Sequence, residues 1–215
     1  MNGTVGKSEK RVDAFDKVTG RARYTDDLCD RNALVAKVLH STIANGVVKA
    51  IDTSAAEKIQ GVVKIMTCFD VPEYKFPTAG HPWSTDPHHQ DVADRLLLTR
   101  RVRFYGDDVA AVIAENEIAA AEALRAIQVE YEEFPFVLDA EEAMKPGAPQ
   151  LHEEYPNNIL AHTSIYKGDY DAAIKEPGLI RVEGWYDTPT VQHCHIENHI
   201  CFAEMEGGRI TVTSS

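Results

Sequence analysis

An unbroken apolar run, Val109-Ala-Ala-Val-Ile-Ala114, is followed almost at once by an Ala/Glu/Leu-rich segment from Glu117 to Ala126. This pairing constrains the fold more than any other feature of the chain. The first run is β-branched and reads as a buried strand, far shorter than the roughly 20 apolar residues that cross a bilayer. The second places Ile118, Ala121 and Leu124 at helical spacing, so it reads as an amphipathic helix. Val129-Glu-Tyr-Glu follows as a strand with alternating faces. A helix of this kind must bury its apolar stripe on a sheet, and the flanking strands supply one.

Upstream, Leu34–His40 and Val47–Ile51 read as strands, with Asn45-Gly46 as a hairpin turn between them. Asp52-Thr-Ser54 precedes a short helix over Ala55–Gln60, which Gly61 ends, and Val62–Met66 follows as a buried strand. A long loop rich in Pro, Gly and His runs from Asp70 to Asp94 before Val102-Arg-Phe-Tyr resumes regular structure. The order β-β-α-β, loop, β-α-β predicts an α+β fold on a mixed sheet. Alternating βα units are too few for a barrel or a doubly wound sheet.

Breaks at Met144-Lys-Pro-Gly-Ala-Pro149 and Tyr155-Pro-Asn-Asn predict a boundary between domains at 1–145 and 146–215. Beyond it, Leu179–Asp187 reads as a strand, and His195–Met205 with Arg209–Ser215 as a hairpin turning at Gly207-Gly208. A lone ribbon needs a third strand or a helix over its apolar face. The second domain is therefore expected to break off unfinished, and its exposed face to favour self-association.

The chain carries 22 Lys and Arg against 34 Asp and Glu, a net charge of −12. That balance excludes a surface built for nucleic acid or an anionic membrane, which needs clustered positive charge. No apolar leader is visible after Met1, and none of the cysteines (Cys29, Cys68, Cys194, Cys201) shares a C-x-x-C spacing. Iron–sulfur and zinc-ribbon ligand sets are thus not expected within the chain, and reduced thiols in the cytoplasm are. Cys29 and Cys68 read as structural.

The most chemically loaded stretch is Gln192-His-Cys-His-Ile-Glu-Asn-His-Ile-Cys201. On one extended strand, His193, His195, Glu197, His199 and Cys201 would share a face, and all are competent ligands for zinc or nickel. Alternate strand residues lie about 7 Å apart, whereas ligands of one ion sit roughly 4 Å from each other. A polar strand face lining a pocket is the stronger expectation, with a small zinc- or nickel-binding protein as the alternative. His88-His89 reads as solvated, Glu130, Glu132 and Glu133 as a charged strand edge, and Asp26-Asp27 as a turn. A non-catalytic interaction domain using the Asp70–Asp94 loop is a third reading.

The opening Arg11-Val-Asp13 with Lys17-Val-Thr-Gly20-Arg-Ala22-Arg-Tyr24-Thr-Asp26-Asp27 closely resembles the start of a known family. That family is the molybdenum-binding large subunit of the xanthine dehydrogenase/aldehyde oxidase hydroxylases, with the bacterial xanthine dehydrogenases nearest in wording. The resemblance continues through His40-Ser41, Gly61-Val-Val, Thr67-x-x-Asp70-Val-Pro72, Val102–Ala114 and Val129–Pro135. It implies an α/β hammerhead domain followed by the beginning of a molybdopterin-binding domain. Thr190-Val-Gln192-His193-x-x-Ile196-Glu197 is similar to the stretch where a glutamine approaches the molybdenum centre. Here Gln192 directly precedes His193, one residue closer than in the family pattern.

The resemblance implies Gln192 as a cofactor-binding residue, with no catalytic residue and no metal ligand carried over. The family's glutamate base and most pterin contacts are expected beyond Ser215, so the fragment is expected to be inactive alone and to bind no cofactor by itself. In the complete enzyme it implies molybdenum–molybdopterin as cofactor and hydroxylation of a purine or aldehyde. Its implied partners are the remainder of the molybdenum subunit and separate iron–sulfur and FAD chains that pass electrons to NAD.

Overall fold

The computed structural model describes residues 4–77, 93–160, 162 and 164–215. In chain order its elements are α1 (Ala14–Val18), α2 (Thr25–Leu28), β1 (Val35–His40), β2 (Gly46–Asp52), β3 (Val62–Thr67), β4 (Arg101–Val102), β5 (Asp108–Ala114), α3 (Glu117–Ala126), β6 (Gln128–Glu133), α4 (Ala140–Ala143), α5 (Tyr170–Ala173), β7 (Cys201–Glu206) and β8 (Arg209–Ser214). The chain divides into two units, one spanning Leu34–Leu179 and one made of Met1–Ala33 with Ile180–Ser215.

In the first unit the apolar run becomes β5, the centre of an antiparallel sheet ordered β1-β5-β3. A central strand is covered on both faces, which is why Val109, Ala110, Val112 and Ala114 are all buried. Helix α3 lies on this sheet through Ala119, Ala120 and Ala123, all buried, with Ile65, Val112 and Ile127 in the same cluster. Alanines at the contact let the helix backbone approach closely, and Gly61 sharpens the fit. A Cβ there would stand 3.2 Å from Ala119 Cβ, and Gly61 also holds φ at +89°. The helix starts at Asn116, whose side chain accepts the Ala119 N–H at 2.9 Å.

The second sheet is ordered β4-β2-β6, again antiparallel. Its cluster contains Ile43, Val48, Cys68, Leu98, Val102 and Val109. Leu39, Ile51 and Val129 pack against both clusters, so the two sheets share one continuous core. Helix and strands in these proportions make a mixed α+β domain, as the order of sequence patterns predicts.

Local expectations are corrected in several places. Asn45-Gly46 is not a hairpin turn: β1 pairs with β5, and β2 with β4 and β6, so residues 41–45 carry the chain from one sheet to the other. Asn45 is buried, its Nδ2 donating to the Pro135 carbonyl at 2.5 Å while its Oδ1 accepts from Arg101 at 2.6 Å. The helix expected over Ala55–Gln60 shrinks to a 3-10 turn at Ala56–Lys58. Strand pairing after Val102 stops because the Asp107 carboxylate accepts the Arg103 and Phe104 N–H groups and curls the chain into a turn.

In the second unit, β7 and β8 form the expected hairpin, with Cys201 opposite Ser214 and Glu206 opposite Arg209. Gly207 and Gly208 hold φ at +57° and +79°, the double left-handed turn that suits a two-residue hairpin. The expected strand at Leu179–Asp187 forms no ladder with any described residue. Ile180, Val182, Trp185 and Tyr186 are exposed along it. No helix among the described residues is long and apolar enough to cross a membrane.

Candidate functional site

The histidine-rich stretch does not form one strand. Residues 191–200 are irregular, β7 begins only at Cys201, and Cys194 takes a left-handed φ of +51° that breaks any alternating face. The His193 and His195 rings lie 6.2 Å apart, and His195 meets His199 edge-on at 4.7 Å. Among the described residues no group of three or more His, Cys, Asp or Glu side chains is placed to hold a metal ion. The zinc or nickel alternative loses its geometric basis. His88 and His89 lie outside the described residues.

Gln192 sits on this irregular segment, exposed, with its Oε1 accepting the His193 N–H at 2.8 Å. The carboxamide oxygen is thus engaged locally, and the Nε2 end presents two donors to solvent. Five residues on, Glu197 Oε1 accepts the backbone N–H of Thr25 at 3.3 Å. That contact spans 172 positions of sequence and joins the Gln192 segment to α2. Beside it, Asp27 Oδ2 accepts the Tyr24 N–H at 2.9 Å, and Arg23 Nη2 donates to the Asp27 carbonyl at 2.8 Å. In the same unit the Asp13 carboxyl is held at about 2 by its hydrogen bonds from Arg11 and Lys17.

The Leu34–Leu179 unit holds a second candidate, an open cleft of about 500 Å³. Its walls include Phe76, Arg95, Arg103, Phe104, Asp107 and His152. Arg95 Nη1 stands 3.2 Å from Asp107 Oδ1, and its guanidinium lies 4.5 Å over the Phe104 ring. The other oxygen, Asp107 Oδ2, accepts the Arg103 N–H at 2.7 Å. Burial pushes the Asp107 carboxyl above the ordinary carboxylate range, with those N–H donors countering it. Burial and the nearby Arg103 charge lower His152, while Asp94 at 3.8 Å opposes them. Arg103 Nε donates to the Leu151 carbonyl at 2.8 Å, fastening the segment that bears His152.

Both oxygens of Asp107 are committed to backbone and guanidinium donors, so this carboxylate is scaffolding. Sequence reading did not single out Arg95, Arg103, Asp107 or His152. The Arg100-Arg101 pair close to Asp107-Asp108 is the only local signal, and nothing in it locates Arg95 or His152. The Glu197–Thr25 contact was equally unreadable, since its partners stand at opposite ends of the chain.

A strand-centred α+β core with one short helix on its sheet, followed by an irregular glutamine-bearing segment and a terminal hairpin, defines a class shared with several large oxidoreductase chains. Residues 19–135 match the family described as "Aldehyde oxidase and xanthine dehydrogenase, a/b hammerhead domain", and residues 151–215 match "Molybdopterin cofactor-binding domain". The chain belongs to the aldehyde oxidase and xanthine dehydrogenase hammerhead family. It is 42% identical over 206 residues to the xanthine dehydrogenase molybdenum-binding subunit of Escherichia coli O157:H7, covering 95% of this chain and 27% of that protein. The nicotinate dehydrogenase large molybdopterin subunit of Eubacterium barkeri is 30% identical, with 98% of this chain and 47% of that protein covered. Among solved structures, the aldehyde oxidoreductase of Desulfovibrio desulfuricans ATCC 27774 aligns with a TM-score of 0.79 at 28% identity, over 97% of this chain and 23% of that one. The chain thus spans about a quarter of the length of the first of these relatives.

Proposed function

We propose that this chain contributes the N-terminal part of the molybdenum-binding subunit of a purine-oxidising hydroxylase. The similarity to the xanthine dehydrogenase subunit across 95% of the chain carries this reading. We place the domains at 1–145 for the hammerhead and 146–215 for the beginning of the molybdopterin-binding domain. The two family matches end and begin on either side of that boundary.

Gln192 is the residue assigned to the cofactor. Its exposed carboxamide, with Oε1 turned back onto His193 and Nε2 outward, suits a group that carries hydrogen-bond acceptors around its metal. When bound, the molybdenum–pterin group supplies the redox centre at which an electron-poor carbon is hydroxylated. This chain's part is to present the Gln192 donor and to hold it still. Rigid donors aimed at a reacting centre stabilise charge there without reorganising. Iron–sulfur and FAD chains complete the assembly and carry electrons onward, and the complete enzyme works in the cytoplasm.

The test is to express the whole polypeptide that contains this chain together with its redox partner chains. Molybdenum content and purine-dependent NAD reduction are then measured. Gln192→Ala should lower kcat by about tenfold or more while molybdenum content holds. Loss of the reading would show as a metal-free subunit, or as full purine activity in Gln192→Ala.

A further inference from the structure

We propose that Glu197 is a positioning residue, whose carboxylate anchors the Gln192 segment to the N-terminal segment at Thr25. The proposal rests on the reading of Gln192 given above. Two motif-bearing segments from opposite ends of the sequence meet at one point, through Glu197 Oε1 and the Thr25 N–H at 3.3 Å. Thr25 is also the single buried residue among the described residues of its unit, at 7% exposure. A donor on a residue this buried has little water to turn to in place of Glu197.

The local hydrogen bonding explains why an acceptor is needed at this point. The first N–H groups of a helix have no partner within it. At the start of α2, Asp27 folds back onto the Tyr24 N–H, so the Thr25 N–H still needs an acceptor. Glu197 supplies one from another part of the chain. The segment from Gln192 to Glu197 contains a left-handed Cys194 and no ladder hydrogen bonds to stiffen it. Its order therefore depends on its ends, and Glu197 holds the end that follows Gln192. The N-terminal segment becomes part of the Gln192 site without touching the cofactor.

The experiment uses backbone NMR on the intact chain and kinetics on the complete subunit. Glu197→Ala should shift the Thr25 amide proton upfield, leave the Tyr24 amide unchanged, and lower the heteronuclear NOE across residues 192–196. Glu197→Gln keeps an acceptor oxygen and should restore most of both signals. Thr25→Pro removes the donor itself at the first helical position, where proline is tolerated and the preceding Tyr24 is already extended. It should loosen residues 192–196 as Glu197→Ala does, and the double variant should loosen them no further. In the complete subunit, Glu197→Ala and Thr25→Pro should each lower kcat by about fivefold with KM held, a smaller loss than that of Gln192→Ala. An unmoved Thr25 amide, or additive effects in the double variant, overturns the anchor. A loosened segment combined with full activity in Gln192→Ala upholds the anchor and overturns the molybdenum role of Gln192.

Discussion

Asp107 and Arg103 are joined by a 2.7 Å bond from the Arg103 backbone N–H to the buried carboxylate, and this bond ends β4. With Arg95 on its other oxygen, the carboxylate is the hub of the turn that separates β4 from β5. Asp107→Ala should therefore cost about 2–3 kcal/mol, because it removes a buried acceptor from two backbone N–H groups and one ion-pair contact from Arg95. Urea denaturation at neutral pH measures this. A variant within about 0.5 kcal/mol of the parent would refute the assignment.

The same residue makes a pH prediction of unusual sign. Burial raises the Asp107 carboxyl in the folded state, so the native chain binds the proton more tightly than the unfolded one. Its contribution is fully present below the unfolded value of about 3.9 and is lost as pH rises through the raised folded value. Asp107→Asn should flatten that part of the stability–pH curve. Denaturation midpoints measured across the mildly acidic range decide it, and an unchanged slope would contradict the raised carboxyl.

Gly46 is required by close approach. A Cβ built there would stand 2.3 Å from the Glu132 carbonyl oxygen and 2.6 Å from Ile43 Cδ1. Gly46 pairs with both Val102 and Glu133, so β2 cannot slide away from the clash. Gly46→Ala should destabilise the unit by about 3 kcal/mol, read as a lowered denaturant midpoint at constant m-value.

Asn45 bridges Pro135 and Arg101, and Asn45→Ala should cost about 2 kcal/mol because both partners lose a bond in a half-buried setting. Asn45→Asp keeps an acceptor for Arg101 but loses the donor to Pro135, and should fall between the two. Thermal unfolding of the three proteins gives the ranking.

The same residue shows why the fold was only partly legible in the sequence. Helix α3 and strand β5 could be located because their patterns are local and strong, but the face α3 buries is Ala119, Ala120 and Ala123, and Ile118 of the expected stripe is 72% exposed. Asn45-Gly46 carries a turn dipeptide's chemistry, yet both residues serve long-range needs: one a buried bridge, the other a tight strand contact. Pairing partners are not written in local pattern. The Gln192 stretch misled for a related reason. Its alternating ligand-type residues imply a strand only if a neighbouring edge exists to pair with, and residues 191–200 form none among the described residues. Gln192 itself could be singled out from sequence by its resemblance to a family motif, whereas Glu197 acquired a role only when the fold brought Thr25 to it.

The cysteines should separate cleanly by reactivity. Cys68 is buried, and burial pushes its thiol up to about 11. At pH 8 its thiolate fraction is then about one in a thousand, against roughly one in four for an ordinary thiol near 8.5. Cys194 and Cys201 are exposed, and Cys29 is half-buried. The thiolate is the species that alkylates, so at pH 8 iodoacetamide should modify Cys194 and Cys201 first, Cys29 more slowly, and leave Cys68 intact until the chain unfolds. Peptide mass spectrometry over a time course follows each site. Because Cys68 packs in the same cluster as Val48, Val102 and Val109, its labelling should track urea unfolding of the sheet core. Rapid modification of Cys68 in the native chain would mean that this core opens without global unfolding.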